Sequence, residues 1–475
     1  MRRALNANKL PNAIPANSRM KYPQTPEQNI HKLPNALVRR DDIWYNTDMK
    51  TYKSRIVDDL LARKLRGIGA VLVQGAKWCG KTTTCEQFAK SALYMADPDT
   101  KESNLKMADM NIKALLKGEA PRLIDEWQIV PKFWDAVRYH VDHTEGFGHF
   151  ILTGSAVPPD TKEITHSGTG RIARLTMRPM SLWESGESSG EVSMATLLEG
   201  GEFISAESTD RSLEDIAFIL CRGGWPQAVL QRGNDALDRA YDYFETVVES
   251  DMSRVDGVSR EPSRVRRLMR SYARLQGTQS NLSVIKNDMK ANDRLTLDED
   301  TVASYLNAMR KIFVVEDMEA WCPNLRSKVQ VRTTDTRYFT DPSIAVAALG
   351  IGPGSLMDDL NTFGYLFECL AMRDLRVYAA ANLGTVSHYR DADGLECDAV
   401  VHLRDGSCGL VEVKLGGDRL VEEGAAAVNK LADKLDLQKT KKPKFKMVGH
   451  RQVRLSAQGR RRGSMSAVCA KELIL

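Results

Sequence analysis

Apolar runs alternate with stretches of helical periodicity along the chain beyond residue 50. The first apolar run, 69–74, contains β-branched valines and leads through a glycine-rich loop into a stretch over 82–92 that predicts a helix. Further on, Phe133, Val137 and Val141 recur at helical spacing. More strands are predicted over 92–95, 122–127 and 149–155. Because strands that alternate with helices form parallel sheets, the pattern predicts an α/β fold with a parallel sheet.

The middle of the chain is mainly helical in pattern. The predicted elements are a helical stretch over 214–254, a basic helix over 262–273, helices over 282–289 and 299–310, and a strand over 312–316. Helix, turn, helix, strand is the order of a winged helix-turn-helix domain, in which the second helix enters a DNA groove. That helix is capped by Asp298 and carries Asn307 and Arg310 but also acidic residues. Packing against protein is therefore an equally good interpretation.

The last third of the chain predicts a β-hairpin, with strands over 395–403 and 409–415 and a turn over 404–407. Successive side chains of a strand point to opposite faces, so Glu412 and Lys414 share one face. A register that pairs residue 398 with residue 412 would bring Asp398 beside both of them. An amphipathic helix that begins at 363–368 carries a further carboxylate, Glu368.

These patterns divide the chain into five parts. They are a poorly ordered extension over 1–50, a parallel-sheet core over 51–205, a helical and winged-helix region over 206–335, a second α/β domain over 336–448 and a basic tail over 449–475. A stretch over 187–202, rich in Ser, Gly and Glu, predicts an insertion or linker within the core.

Composition limits the class of protein. The chain has 475 residues, 42% of them apolar and 27% charged, and no run approaches the length of a membrane span. The amino terminus lacks the apolar core of a signal peptide, which makes the cytoplasm the expected location. Eight cysteines are scattered without a CxxC pair, which argues against structural zinc. The net charge is only +5, but the basic run over 439–446 could contact nucleic-acid phosphates or be a solvated surface.

The loop after the first strand has the spacing of a phosphate-binding loop, Gly75-Ala76-Lys77-Trp78-Cys79-Gly80-Lys81-Thr82. Gly75 and Gly80 permit the turn that points backbone N–H groups at phosphate oxygens. Lys81 then reaches the β- and γ-phosphates, and the Thr82 hydroxyl, with Thr83 beside it, is placed to ligate Mg²⁺. Nucleotide binding is the expected chemistry.

Polar residues follow the next predicted strands. Asp125 and Glu126 end the strand over 122–127, where Asp125 would hold Mg²⁺ and Glu126 would act as general base toward the attacking water. Thr153 ends another strand and is a candidate sensor of the γ-phosphate, or a hydroxyl that satisfies its own strand end. Arg171 is the candidate arginine finger. Whether it would act within the chain or from a neighbouring copy is left open.

A second candidate site lies in the last third. Asp398, Glu412 and Lys414, with Glu368 as a further carboxylate, could hold Mg²⁺ and position water for phosphodiester attack. Asp398 and Glu412 would be the metal ligands. A solvated polar face of the hairpin is the competing interpretation.

Several of these stretches together resemble a known family, the prokaryotic predicted AAA-superfamily ATPases whose carboxyl-terminal region is a domain of unknown function. The motifs that carry the resemblance lie at 77–84, 122–128, 151–156, 223–226, 314–317, 339–343, 366–368 and 412–414. The resemblance spans about residues 52–445. Two departures are that Ala76 stands where proline is usual and that residues 450–475 are basic and polar where a strand pair is usual.

The resemblance implies an ATP-binding core, a winged-helix segment and a domain similar to the PD-(D/E)xK nuclease fold. It places the ATP contacts on 75–82, the Mg²⁺ ligand and base on Asp125 and Glu126, and the nuclease-like set on Asp398, Glu412 and Lys414. The leading hypothesis is therefore a Mg²⁺-dependent ATPase that acts as a nucleotide switch on the carboxyl-terminal domain. The alternatives are a DNA-binding regulatory module in which ATP is structural, and a metal-dependent nuclease. ATP is the expected ligand, DNA or a protein is a candidate partner, and the oligomeric state is open.

Overall fold

The first sheet is entirely parallel, as the alternation of strands and helices predicts. A computed structural model describes residues 52–156, 167–200, 211–294, 297–322, 334–435, 441–455 and 461–469, with side chains up to residue 450. The predicted extension over 1–50 lies outside these residues. The elements of the first part are α1 (Ile56–Leu65), β1 (Ala70–Gln74), α2 (Lys81–Glu86), β2 (Ser91–Tyr94), α3 (Lys101–Leu115), β3 (Arg122–Asp125), α4 (Phe133–Asp142), β4 (Phe150–Gly154) and β5 (Ile172–Thr176).

The strand order in this sheet is β2-β3-β4-β1-β5, which puts β1 in the interior. Alternate residues of β1 enter two different cores, Val71 and Val73 on one face and Ala70 and Leu72 on the other. A strand that is covered on both faces appears in the sequence as a continuous apolar run. The predicted parallel α/β core is confirmed.

The helix predicted over 82–92 is shorter than expected, because α2 ends at Glu86 and Ser91 already begins β2. Three threonines and a cysteine follow Lys81 in α2, and such residues favour helix only weakly. Residues 91 and 92, which the sequence assigned to the end of the helix, therefore belong to the edge strand β2.

The helical region begins with α5, before the predicted linker over 187–202, and α6 lies within that linker. Its elements are α5 (Leu182–Ser185), α6 (Met194–Glu199), α7 (Leu213–Arg222), α8 (Pro226–Val229), α9 (Gly233–Thr246), α10 (Met252–Arg254), α11 (Pro262–Arg274), α12 (Leu282–Asp293) and α13 (Glu299–Lys311). Asp298 caps α13 as predicted, because its Oδ1 accepts from Thr301 N at 2.6 Å.

The strand predicted over 312–316 is wrong. Phe313 has a φ of +58° and turns the chain directly after α13. Only Val315 pairs with another segment there, through an isolated bridge to Phe339. A residue in the left-handed region cannot continue a strand, so the apolar run is buried without forming one.

The last part of the chain forms a second sheet in the order β10-β9-β8-β7-β6. Its elements are α14 (Pro342–Leu349), α15 (Pro353–Asp358), α16 (Leu360–Ala381), β6 (Gly384–Arg390), β7 (Glu396–Leu403), β8 (Cys408–Leu415), α17 (Asp418–Lys434), β9 (Phe445–Leu455) and β10 (Arg461–Cys469). Ala399 lies opposite Val411 in the antiparallel pair of β7 and β8. This is the register that pairs 398 with 412, so the predicted register is confirmed.

The predicted basic tail from residue 449 is not a separate element. β9 continues to Leu455 and pairs in parallel with β8, while β10 pairs antiparallel with β9. Strand pairing uses backbone N–H and C=O groups, so a run with few apolar residues can still extend a sheet. The prediction of a basic tail, which relied on the low apolar content of this segment, is therefore wrong.

Candidate functional site

The glycine-rich loop between β1 and α2 has a backbone that requires glycine at two positions. Gly75 has a φ of +154°, and a Cβ on it would lie 2.0 Å from the carbonyl oxygen of Met177. Gly80 has a φ of +101° and directly precedes α2. An alanine at either position would therefore strain the loop, by crowding at Gly75 and by backbone conformation at Gly80.

The side chains of the loop are also fixed by contacts. The Lys81 ammonium donates to the carbonyl oxygens of Gly75 at 3.0 Å and Ala76 at 2.8 Å, so it curls over the loop. The backbone of Trp78 has a φ of +64°. Its ring packs edge-on against the Tyr243 ring of α9, with 5.8 Å between the ring centroids. Lys77 forms an ion pair with Asp251 at 2.6 Å. The helical region therefore touches the loop directly.

Asp125 lies between two hydroxyl groups. Its Oδ1 accepts from the Thr82 hydroxyl at 2.7 Å and from the Thr153 hydroxyl at 2.6 Å. Three residues from separate segments, all singled out by the sequence, thus meet at the carboxyl ends of adjacent parallel strands. A hydroxyl beside a carboxylate is an oxygen-donor set that suits a hard divalent cation such as Mg²⁺.

Glu126 follows β3 and has a φ of +55°, in the left-handed region. Its backbone N–H donates to Thr153 Oγ1 at 3.2 Å, and its carboxylate Oε2 accepts from Ser155 Oγ at 3.1 Å and from Gln128 Nε2. A positive φ at a non-glycine residue costs about 1–3 kcal/mol and persists where surrounding contacts impose it. Here those contacts hold the carboxylate at the wall of a cavity.

This cavity, which we call the phosphate-loop cavity, has a volume of ≈ 790 Å³. Its lining includes Lys81, Thr82 and Thr83 of the loop, Glu126 and Gln128 after β3, Ser155 after β4, and Asp251, Arg254 and Val255 of the helical region. The cavity therefore has one wall from the parallel-sheet core and one from the helices. Its size falls within the range typical of sites for small organic ligands.

Arg171 does not reach this cavity. It lies at the amino end of β5, and its Nε bonds to Asp142 at 2.6 Å. Since β5 runs parallel to β1 with Ile172 opposite Ala70, Arg171 is about 16 Å from the loop, at the other end of the strands. The expectation that it acts on a nucleotide held by its own chain is corrected: a residue before a parallel strand is at the wrong edge of the sheet.

The arginine that does line the cavity is Arg254, the last residue of α10. It is exposed, and it forms no ion pair with any carboxylate in the described ranges. The sequence gives little sign of its role, because it is a single arginine at the end of a long helical stretch. Only the packing of the helices over the loop identifies it.

The second predicted cluster also assembles. Lys414 Nζ lies 2.6 Å from Glu412 and 3.2 Å from Asp398, and Asp398 Oδ2 accepts from Val413 N at 2.8 Å. Glu368, on α16, accepts from the Tyr338 hydroxyl. Asp398, Glu412 and Lys414 line a second cavity of ≈ 360 Å³.

Burial shapes the protonation of this cluster. Burial first, and the Asp398 charge second, raise the pKa of Glu412 to about 8, although Lys414 opposes the change. The same two causes raise the pKa of Glu368 well above its ordinary value. Within the described ranges, no group of three or more His, Cys, Asp or Glu side chains is arranged to hold a metal ion. Lys414 instead bonds to both predicted ligands, Asp398 and Glu412, and the metal site there stays a prediction.

Replacing Lys414 by methionine is expected to make stability fall with pH over a wider pH range. A raised pKa means that the folded state binds the Glu412 proton more tightly than the unfolded state does, so stability falls as pH rises from the ordinary value of 4.5 through about 8. Without the ammonium the pKa rises further, and the fall, up to about 1.4 kcal/mol per pH unit for one proton, extends to higher pH. Urea unfolding at about pH 6 and about pH 9 measures this.

Lys430→Met is the matched control, because Lys430 is exposed and lines the same cavity. It should leave the pH dependence unchanged. Equal pH dependence in Lys414→Met and the wild type would contradict the account of the cluster.

The basic helix α11 is largely engaged within the protein. Arg264 pairs with Glu261 at 2.9 Å, Arg266 pairs with Glu245, and Arg270 Nε donates to Ala348 O at 3.3 Å. On α13, Arg310 bonds to Asp317 while Asn307 is exposed. Most of the arginines that suggested a DNA-binding helix are thus bonded to neighbouring groups of the protein.

Three stretches of the chain match known protein families. Residues 68–185 match the family described as an AAA domain. Residues 213–355 and 363–461 match two families described as domains of unknown function, DUF8612 and DUF4143. The match over 68–185 supports an AAA-type ATPase domain in the first part of the chain. No helix in the described ranges is long and apolar enough to cross a membrane.

Two uncharacterised proteins, from Mycobacterium bovis and Mycobacterium tuberculosis, are each 23% identical over 345 residues, which is 72% of this chain and 70% of the relative. Among solved structures, the Walker-type ATPase of Pyrococcus abyssi is similar with 14% identity and a TM-score of 0.40. That match covers 65% of this chain and 99% of the Pyrococcus chain.

Proposed function

We propose that this chain, a P-loop ATPase of the AAA type with a carboxyl-terminal domain of unknown function, hydrolyses ATP and uses the cycle to control its carboxyl-terminal domain. The observation that carries the proposal is the convergence of Thr82, Asp125, Thr153 and Glu126 beside one cavity. Nucleotide binding alone would need the loop, but it would not need a carboxylate held at the wall where a water could attack.

Each residue has a role in this reaction. The loop N–H groups and Lys81 bind the phosphates, and Thr82 with Asp125 would hold Mg²⁺, whose charge would stabilise the transferring phosphoryl group. Glu126 takes the proton of the attacking water. Arg254 lies across the same cavity and supplies positive charge from the helical region, the role that the sequence assigned to Arg171.

The purified protein is expected to hydrolyse ATP in the presence of a divalent cation. The Lys81→Ala variant is expected to bind ATP about 10- to 150-fold more weakly, because hydrogen bonds to charged groups contribute about 1.5–3 kcal/mol. Binding is measured with a fluorescent nucleotide, and turnover by phosphate release with Mg²⁺ present or chelated. Lys90→Ala, an exposed lysine beyond α2, is the matched control and should behave as the wild type.

In the same assay Arg254→Ala should lower ATP turnover more than it lowers ATP affinity. The proposed role of this cation, which faces the cavity from the helical wall, is to stabilise the charge of the transferring phosphoryl group. Arg239→Ala, a half-buried arginine on α9 that does not line the cavity, is its control. Turnover that is unchanged in both Lys81→Ala and Arg254→Ala would mean that ATP is not hydrolysed at this site.

The coupling to the carboxyl-terminal domain rests on buried contacts that end on α16, the helix that carries Glu368. Arg55 bonds to Cys79 O of the phosphate loop at 2.9 Å and to Glu184 at 3.0 Å. Two residues before Glu184, Leu182 N donates to Asp374 Oδ2 of α16 at 2.9 Å. A displacement of the loop would therefore be transmitted to α16 through rigid, buried groups.

A second set of contacts reaches the same helix. Arg178 bonds to Glu316 at 2.8 Å, and Arg376 of α16 lies 3.9 Å from the same carboxylate. Burial alone would raise the pKa of Glu316, but the two arginines outweigh it and hold that pKa at about 2. The ion pair is thus permanently charged, and α16 is tied to the segment after β5 at all physiological pH values.

A second candidate function, nucleic-acid binding, is favoured by a basic surface away from α11. Arg63 and Arg66 at the end of α1, Arg404 in the β7–β8 turn, and Lys442 and Lys444 before β9 are all exposed. None of them pairs with a carboxylate in the part of the chain that is described. Lys441 bonds to Asp405 at 3.2 Å, which brings the lysines beside the turn.

The same surface includes the end of α1. Burial lowers the pKa of the Lys64 ammonium, and the nearby Arg404 guanidinium lowers it further, so α1 and the turn are neighbours. Unpaired cations on three adjoining elements are the electrostatic footprint of a phosphate-binding surface.

If this surface binds duplex DNA, affinity should fall steeply with salt, and Arg404→Ala with Lys444→Ala should reduce the slope of log K against log salt by about 1 for each cation removed. Fluorescence anisotropy with a labelled duplex measures the slope. Arg264→Ala with Arg266→Ala is the matched control, because those arginines are already paired. A slope that changes only in the control would reject this surface.

A further inference from the structure

Gln128 is a polar residue of the nucleotide site that the mechanism has not used. It lies in a 3₁₀ turn, Trp127–Ile129, directly after Glu126, and its side chain lines the phosphate-loop cavity. Its Nε2 donates to Glu126 Oε2, the oxygen that also accepts from Ser155. One end of the amide is therefore committed to the carboxylate that acts as general base.

The other end of the amide has no partner. Gln128 Oε1 is buried and accepts no hydrogen bond from any described residue. It lies at the carboxyl end of β4, where a Cβ on Gly154 would be 3.0 Å from it. Buried polar atoms in proteins are nearly always satisfied, and an orphaned one at a functional site requires an explanation. A carbonyl oxygen can only accept, so the missing partner is a donor.

The orientation of the amide follows from its neighbours. A carboxylate only accepts hydrogen bonds, so the NH₂ end must face Glu126 and the carbonyl oxygen must face away from it. Exchanging the two ends would place two acceptors in contact. The unpartnered oxygen is therefore a property of the site.

We propose that Gln128 Oε1 accepts a hydrogen bond from the water that attacks the γ-phosphorus, so that Gln128 and Glu126 together orient that water. The inference rests on the proposed ATP hydrolysis. A water that donates one hydrogen to Glu126 and the other to Gln128 has its lone pair free to point at the phosphorus.

The step balances without any further reactant. The water oxygen forms a bond to the γ-phosphorus as the bond from that phosphorus to the β,γ-bridging oxygen breaks. The proton that pointed at Glu126 passes to its carboxylate, while the hydrogen that pointed at Gln128 stays on the new phosphate. The products are ADP and inorganic phosphate, and Gln128 is unchanged because an amide neither gains nor loses a proton.

The test compares Gln128→Leu with the wild type in three measurements on the full chain. Leucine removes both ends of the amide. We expect kcat to fall about 100-fold, the cost of losing the orientation of one reactant. The affinity for a non-hydrolysable ATP analogue should stay within about twofold, since the ground state does not use the water. The affinity for ADP with aluminium fluoride, which mimics the transferring phosphoryl group with its attacking water, should fall in parallel with kcat.

Gln87→Leu is the matched control, because Gln87 is an exposed glutamine just after α2 and its amide bonds to Thr83 O. It should leave all three quantities unchanged. Wild-type kcat in Gln128→Leu overturns the inference while the proposed function stands. Loss of analogue affinity together with kcat also overturns it, because Gln128 would then act in binding or in folding. A wild type that binds ATP but does not hydrolyse it overturns the proposed function and this inference with it.

Discussion

Replacing Glu126 by glutamine is expected to lower ATP turnover about 100- to 10,000-fold, the usual contribution of a general base. The amide of glutamine has the shape of the carboxylate but cannot take a proton from water. Its oxygen can still accept from Ser155, so the backbone at φ of +55° and the wall of the cavity should be preserved. ATP affinity is therefore expected to remain close to that of the wild type.

The measurement is steady-state phosphate release together with equilibrium binding of a fluorescent nucleotide. Glu86→Gln is the matched control, because Glu86 ends α2 and bonds only to the exposed Tyr94 hydroxyl. Turnover within about threefold of the wild type in Glu126→Gln would show that another group accepts the proton, since the loss of a general base cannot be that small.

The sequence predicts which residues meet at the centre of the candidate site, because these residues lie in one contiguous loop or at the ends of neighbouring parallel strands. The phosphate loop is contiguous, and its glycines are dictated by the turn itself. Asp125 and Thr153 end neighbouring parallel strands, so their meeting with Thr82 follows from topology once the strands are recognised. The pairing of 398 with 412 could be predicted for a similar reason, because side-chain parity and an apolar face fix the register.

The parts that the sequence missed depend on how distant segments pack. Arg254 reaches the cavity only because the helical region folds over the loop. Arg171 was a reasonable candidate from its position after a glycine-rich stretch, but it precedes its strand rather than following it. The orphaned oxygen of Gln128 appears only when every neighbour is placed.

The contacts on α16, which underlie the proposed coupling between the two ends of the chain, could not be predicted from the sequence either. Nothing in the pattern of 360–381 distinguishes Arg373, Asp374 and Arg376 from the charged positions of any amphipathic helix. In the folded chain all three are buried and paired with groups 32 or more positions away or with each other. Long-range ion pairs of this kind follow from tertiary structure and leave no local signature.

Replacing Arg373 by methionine is expected to destabilise the protein by about 3–5 kcal/mol, the cost of breaking a buried ion pair by removing one partner. Arg373 Nη1 bonds to Asp341 at 2.9 Å, and its Nε bonds to Asp374 at 2.9 Å. The side chains of Arg373 and Asp341 are 2% and 0% exposed. The variant would leave two carboxylates buried near each other without a cation.

The Arg373→Met substitution should also affect the nucleotide site, because the Asp341 and Asp374 carboxylates support segments that contact this site. Asp341 Oδ2 accepts from Gly224 N at 3.0 Å, and Trp225 stacks on Tyr243, which touches Trp78 of the phosphate loop. Asp374 Oδ2 accepts a hydrogen bond from Leu182 N. We therefore expect weaker ATP binding in Arg373→Met even where the protein is still folded, although Arg373 does not line the cavity.

Urea unfolding gives the stability change, and fluorescent-nucleotide binding below the unfolding transition gives the effect on the site. Arg390→Met is the matched control: its partner Glu396 is 2.9 Å away, but the two side chains are 31% and 48% exposed. Exposed pairs contribute about 0–1 kcal/mol, so this variant should unfold almost as the wild type does and bind ATP equally well. If the two variants lose stability equally, the buried contacts on α16 do not join the ATPase domain to the carboxyl-terminal domain in the way that the coupling requires.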